Sequence, residues 1–463
     1  MDDPSLTSRL KRYMQVTSAM TGLAGRLIGE KYLGVSIDRD RHAEDLKNLL
    51  GGLKGPLMKV AQFLATVPGA LPSEYADELL ELQSNAPSMG WSFVRRRMAS
   101  ELGGNWLDHF ADFDQQATAA ASLGQVHKAR LKTGEIIACK LQYPDMESVI
   151  DADLNQLNAL LSVYESFNSA LKTEAIREEI EERLKEELNY INEAKNLKIF
   201  HKLFEHNPEI HLPKVYDDLT TRRLLSMQWL DGQSALDYRD SAQEFRDSIG
   251  GKLYQAWYYP FYHYGLIHGD PHPGNYKITN DGQINILDLG CIRSFPGKFV
   301  SGVIELYRAL QTNDQERAVH AYESWGFKNL NKDLIEIISE WARLLYEPLL
   351  DDRVRLIQAD LKGKIGWETA TKVHDQLSHV GGIRPPKEFV FMDRAAVGIG
   401  SIMMRLQVRQ NWHQLTEAMI EGFETVQLEH KKAELIASVG TPTAEKNLLC
   451  SLPSDKNGEY PQY

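Results

Sequence analysis

The first ninety residues carry apolar positions at helical spacing. Leu57, Val60, Ala61 and Leu64 share one face behind Pro56, which suits a first helical turn. A second helix is expected from Ser73, as N-cap, to Gln83, with Leu79, Leu80 and Leu82 apolar. From about Asp112 to Gln142 the pattern shortens to strand period. Gly124–Leu131, the turn Lys132-Thr-Gly-Glu135 and Ile136–Gln142 read as a hairpin, preceded by the small-residue run Ala119-Ala-Ala-Ser-Leu-Gly124. A long helix is predicted next, because Ile176, Ile180, Leu184, Leu188 and Ile191 form one apolar stripe. Its other faces are dense in glutamate and read as solvated. Lys214–Tyr216 and Arg223–Trp229 read as a strand pair ending in a hinge-like break at Leu230-Asp-Gly232. Beyond it the pattern is helical to about residue 435. One short β insertion interrupts it, Tyr276–Thr279 and Ile284–Leu287 around Asn280-Asp-Gly282. The predicted class is α+β: a helical extension over 1–90, a β-rich lobe over 91–230, a helical lobe over 231–435 and a loose tail over 436–463. No internal repeat is visible.

Composition narrows the class. Apolar residues make up 43% and charged residues 25%, too apolar for a disordered chain and too polar for a multi-span membrane protein. The best apolar stretch, Ala395–Met404, is half of what a span needs. Asp2, Asp3 and Glu30, with no apolar run between them, speak against a secretory signal. A net charge of −12 without a basic stripe sets nucleic acid aside as a partner. Cys139, Cys291 and Cys450 are distant and odd in number, so a reducing, cytoplasmic setting is expected and a disulfide framework is not.

Kinase-type phosphotransferases follow this lobe order, with the nucleotide between the lobes. The chemistry-bearing block is His268-Gly-Asp-Pro-His-Pro-Gly-Asn275, followed by Asp288-Leu-Gly290. Asp270 and Asn275 stand five positions apart, the spacing of a kinase catalytic loop. In that reading Asp270 faces the phosphoryl acceptor, while Asn275 and Asp288 hold Mg²⁺ with hard oxygen ligands. Two other readings stand beside it: a polar turn built on Pro271, Pro273 and Gly274, and a metal site using His263, His268 and His272. Lys140, on the second hairpin strand, matches the lysine that contacts the α and β phosphates. Glu193, on the long helix, is its expected ion-pair partner. Ala119, Ala120, Ala121 and Ser122 stand where a glycine-rich loop would cover the phosphates, with less freedom in φ. Met227, Gln228 and Leu230, at the break, are further expected nucleotide contacts.

These strings resemble the UbiB/AarF (ADCK) family of atypical, protein-kinase-like proteins from about residue 40 to 430. The resemblance rests on Ala119–His127, Lys140-Leu-Gln142 with Pro144, Leu212–Tyr216 and the block at 268–275. The family's KxGQ signature stands as Lys59-Val-Ala-Gln62 and its ExD signature as Glu187-Leu-Asn189, so Ala61 and Asn189 depart from it. The resemblance implies a two-lobed protein-kinase-like fold with the extension over the cleft, in which Lys59 and Gln62 meet Glu187 and Asn189. It implies an ATP- and Mg²⁺-dependent ATPase or kinase serving ubiquinone and other prenyl-lipid metabolism. Partners would be ATP or ADP, a prenyl-lipid or quinone precursor, and peripherally the inner face of a membrane. The basic residues Arg9, Lys11, Arg12 and Arg26 would suit a helix on a bilayer surface, but read first as a core or solvated helix. A small-molecule kinase of the aminoglycoside or choline phosphotransferase type, and a nucleotide-binding pseudokinase scaffold, are the alternatives.

Overall fold

The computed structural model describes residues 88–121, 123–151, 154–155, 181–182, 184–270, 272–327, 330–357 and 398–439. The helices expected at 57–64 and 73–83, the basic first helix, the tail, and the residues Lys59, Gln62 and Ser122 lie outside these. The chain divides into two compact units, one of residues 1–89, 119–125 and 142–188, the other of 90–118, 126–141 and 189–463.

In the first unit, buried Gln125 clamps a backbone. Its Nε2 donates to the Met89 carbonyl at 3.1 Å and its Oε1 accepts from the Met89 N–H at 2.7 Å. Gln142, also buried, donates to the Leu188 carbonyl at 3.0 Å.

The second unit opens with helix α1 (Trp91–Leu102) and strand β1 (Phe110–Phe113). Ala119–Ala121, which belong to the first unit, form a short strand, β2. The hairpin strands follow as β3 (Gly124–Leu131) and β4 (Ile136–Gln142), with the bounds expected from the sequence. After its first residue β4 is buried throughout. It pairs antiparallel with a later strand, β6 (Leu224–Gln228), setting Lys140 opposite Leu225 and Ala138 opposite Met227. The strand order is β1-β3-β4-β6.

The long helix predicted through Ile191 is broken. The chain turns at Glu187–Leu188, and helix α2 (Tyr190–Leu203) starts afresh with Asn189 as N-cap, its side chain accepting from the Ile191 N–H at 3.2 Å. The stripe misled because Leu184, Leu188 and Ile191 keep helical spacing across the break, while the cap answers to local hydrogen bonding. The strand expected at Lys214–Tyr216 is reduced to an isolated bridge between Val215 and Met227. Pro213 lacks the N–H that a longer ladder would need.

Strand β5 (Ile210–His211) precedes β6, and β7 (Gln233–Ser234) follows it. Helix α3 (Gln243–Tyr264) buries Tyr254, Trp257, Phe261 and Tyr262. Gly265 closes it at φ +64, and a Cβ there would lie 2.5 Å from the Phe295 carbonyl oxygen, so only glycine fits. Short strands then carry the chemistry-bearing block: β8 (Leu266–His268), β9 (Tyr276–Ile278), β10 (Ile284–Ile286) and β11 (Ile292–Ser294). β10 lies between β5 and β9, and β11 pairs with β8 so that Ile292 faces His268. Helices α4 (Gly297–Thr312), α5 (Gln315–Ser324) and α6 (Lys332–Tyr346) follow. The strands β12 (Arg355–Leu356) and β13 (Arg409–Gln410) form a short antiparallel pair. Helices α7 (Trp412–Ile420) and α8 (Thr425–Ser438) end the described chain. Among the described residues no helix is long and apolar enough to cross a membrane.

Candidate active site

Lys140 lies on a strand with almost no solvent, where an unpaired ammonium would be costly. Its Nζ donates to both oxygens of Glu193, at 2.7 and 2.9 Å, and to Asp288 Oδ2 at 2.9 Å. The Tyr190 ring centroid lies 5.2 Å from the same ammonium. Burial works against the charge, yet the fields of Asp288, Glu193 and Tyr190 outweigh it and hold Lys140 well above the ordinary lysine range. The lysine is therefore a fixed cation. Glu193, in the first turn of α2, is 4% exposed and held by that cation.

The pairing of β8 with β11 brings the two acidic loops together. Gly269 donates its N–H to the Cys291 carbonyl at 2.7 Å, and a Cβ on Gly269 would lie 2.6 Å from Cys291 Sγ. The close approach of the two segments thus depends on glycine. His268 bridges them further. Its Nδ1 accepts from the Asp270 N–H at 3.0 Å, which leaves Nε2 as the donor to the Asp288 carbonyl at 2.7 Å. With both ring nitrogens engaged by backbone, His268 has no lone pair for zinc in this arrangement, and the histidine metal site fails. Trp257 stacks on the imidazole at 5.6 Å. Trp257 Nε1 donates to the Tyr276 hydroxyl. Burial, with the nearby Asp270 and Asp288 charges, pushes that phenol well above its usual range.

Asn275 faces Asp270. Its Nδ2 donates to the Asp270 carbonyl at 3.1 Å and to Oδ2 at 3.3 Å. The amide is thereby oriented with its oxygen left as a ligand atom. Asp288 Oδ1 accepts from the Gly290 N–H at 2.9 Å, and its carboxylate is 36% exposed. Asp288 and the Asn275 amide oxygen offer hard oxygen atoms of the kind that suit Mg²⁺, with the Lys140 ammonium beside Asp288 as a fixed positive charge.

Of the other expected contacts, Ala119 and Ala120 are exposed and Ala121 half-buried on β2. Met227 is buried in the core, Gln228 is exposed and Leu230 half-buried. Glu187 and Asn189 are half-buried at the turn before α2. Two residues escaped the reading of the sequence. Tyr190 lies beside the lysine, and Asn196, on α2, donates to the Leu289 carbonyl at 2.9 Å. A cavity of about 940 Å³ at the other end of α2, lined by Phe204, Tyr259, His263, Met419 and Lys431 among others, contains none of the residues expected to hold nucleotide or Mg²⁺; it places His263, from the histidine metal reading, at that end of the helix.

A profile of the ABC1 atypical kinase-like domain matches residues 81–322. The chloroplast protein ACTIVITY OF BC1 COMPLEX KINASE 1 of Arabidopsis thaliana is 36% identical over 73% of this chain and 51% of its own. The mitochondrial atypical kinase COQ8 of Saccharomyces cerevisiae is 26% identical over 86% of this chain and 82% of its own. The chain spans about half the length of the first plant and cyanobacterial relatives that it matches. Among solved structures, the complex of Rv3197 with erythromycin from Mycobacterium tuberculosis has a TM-score of 0.59 at 27% identity, covering 83% of this chain and 96% of the other.

Proposed function

The chain belongs to the ABC1 atypical kinase-like family, the group of UbiB/AarF and COQ8 proteins, and on that premise we propose that it is a Mg²⁺- and ATP-dependent kinase-like enzyme serving prenyl-quinone metabolism. The observation that carries the reading is the intact charge arrangement: Lys140 held between Glu193 and Asp288, with Asn275 oriented by Asp270.

Mg²⁺–ATP, when bound, would supply the transferable γ-phosphoryl group with part of its charge neutralised. Asp288 and the Asn275 oxygen are the groups to hold the metal. Lys140, kept charged by Glu193, offers its ammonium to phosphate oxygens in place of Asp288. Asp270, oriented by the Asn275 amide and by the His268 hydrogen bond to its own N–H, accepts the proton of an attacking hydroxyl or water. On this reading the phosphate contacts expected at Ala119–Ala121 and Ser122 and the adenine contacts expected at Gln228 and Leu230 complete the nucleotide set, while Met227 packs in the core. Lys59 and Gln62, with Glu187 and Asn189, are the regulatory set of the extension. A pseudokinase would tolerate loss of any of the five polar groups, and all five are present. A neighbour of this fold solved with erythromycin supports a small organic target rather than a peptide. A peripheral membrane encounter would deliver such a target.

The test is ATP turnover by the full chain in Mg²⁺ and in EDTA, with and without anionic vesicles carrying a prenylated quinone precursor. Turnover that requires Mg²⁺ and rises with the loaded vesicles is expected. Mg²⁺–ATP at a hundredfold over its dissociation constant should stabilise the fold by about 2.7 kcal/mol, and Asp288→Asn should remove most of that gain. A wild-type melting temperature indifferent to millimolar Mg²⁺–ATP overturns the reading.

A further inference from the structure

Asp288 sits where no strand ladder holds the chain: β10 ends at Ile286 and β11 begins at Ile292. Side chains hold its backbone instead. His268 donates to the Asp288 carbonyl, and Asn196 Nδ2 donates to the next one, that of Leu289, at 2.9 Å. Asn196 stands three residues after Glu193 on α2, so both side chains leave the same helical face. It is 4% exposed, and its Oδ1 is buried without a hydrogen-bond partner among the described residues. A buried, unmatched amide oxygen is unfavourable, and leucine, branched at the same carbon, would avoid it. Packing alone therefore does not account for an amide here. Donation to the Leu289 carbonyl is the one thing the amide does that leucine does not.

We infer that Asn196 is a positioning residue for the metal-holding carboxylate. It ties α2 to the Asp288-Leu289-Gly290 turn. One helix thereby carries both the carboxylate that orients Lys140 and the amide that orients Asp288. A displacement of α2 moves the phosphate-binding lysine and the metal ligand together, so helix position and metal affinity are linked. The inference rests on the Mg²⁺–nucleotide reading above and adds to it a residue that touches neither metal nor nucleotide.

The experiment uses the full chain with Asn196→Leu and, because alanine adds no bulk, Asn196→Ala. Mg²⁺ is titrated at fixed ATP while melting temperature and turnover are followed, and ADP binding is measured in EDTA. Loss of one such hydrogen bond should raise the Mg²⁺ half-saturation about three- to tenfold and leave ADP affinity in EDTA unchanged. An amide with only a structural role would lower the ligand-free melting temperature and leave the Mg²⁺ half-saturation where it is. A folded variant with wild-type Mg²⁺ half-saturation overturns the inference, as does failure of both variants to fold. A wild-type protein with no Mg²⁺-dependent nucleotide response overturns the nucleotide reading first, and this inference with it.

Discussion

Lys140 was expected to pair with Glu193 across 53 positions, and the two make a doubly hydrogen-bonded ion pair. An apolar strand rarely carries a lysine, and a lysine there needs a carboxylate from an element packed on the sheet. The contact with Asp288 adds a second anion. Stability should therefore respond unequally to the two partners. Lys140→Met takes from buried Glu193 and from Asp288 the cation that both face, and breaking a buried pair in this way costs about 3–5 kcal/mol. Glu193→Gln leaves an amide oxygen that still accepts from Nζ and leaves Asp288 facing the ammonium, so its loss should be clearly smaller. Urea unfolding with unchanged m-values ranks them. Equal losses would mean that Lys140 does not neutralise the site.

Helix α2 carries Glu193 and Asn196, and its position depends on where it begins. Asn189 begins it by accepting from the Ile191 N–H. Asparagine and aspartate cap equally well, and an aspartate adds a favourable charge at the helix N-terminus. Asn189→Ala should thus destabilise the protein by about 1 kcal/mol, while Asn189→Asp should be neutral or slightly stabilising. Urea midpoints of the two variants check this. A loss in Asn189→Asp as large as that in Asn189→Ala would show that the position matters for something other than capping. The sequence does contain the signal, an asparagine followed by a new apolar run. The continuous stripe through Ile191 masked it, because 3.6-residue periodicity is blind to a break that preserves phase.

Across the molecule, contacts between distant segments set the response to acid. Glu417 on α7 accepts from both Arg308 guanidinium nitrogens, from the Tyr307 hydroxyl and from Gln311, all on α4. Burial alone would push its carboxyl up, but these donors outweigh it and bring it down to about 2. Because the folded value is depressed from about 4.5, this stabilisation is complete above pH 4.5 and fades as pH falls towards 2. The stability difference between wild type and Glu417→Gln should accordingly be constant from pH 8 to 6 and shrink below pH 4.5. A difference that stays constant to pH 3 would contradict the assignment.

The hairpin bounds, the strand pair around Asn280-Asp-Gly282 and the spacing of Asp270, Asn275 and Asp288 were all legible along the chain. Strand alternation, turn chemistry and short motif spacing are local, and local rules write themselves into neighbouring residues. The Lys140–Glu193 pair was legible for a different reason: a lysine on an apolar strand matches the kinase motif, which takes its carboxylate partner from the helix that follows. Packing alone revealed the tethers made by Gln125, Gln142, His268 and Asn196. Each joins a side chain to a backbone carbonyl or N–H, and every residue except proline has both, so nothing in the sequence marks which one is the partner. The folded chain selects it by bringing one particular carbonyl, that of Leu289 in the case of Asn196, within 2.9 Å.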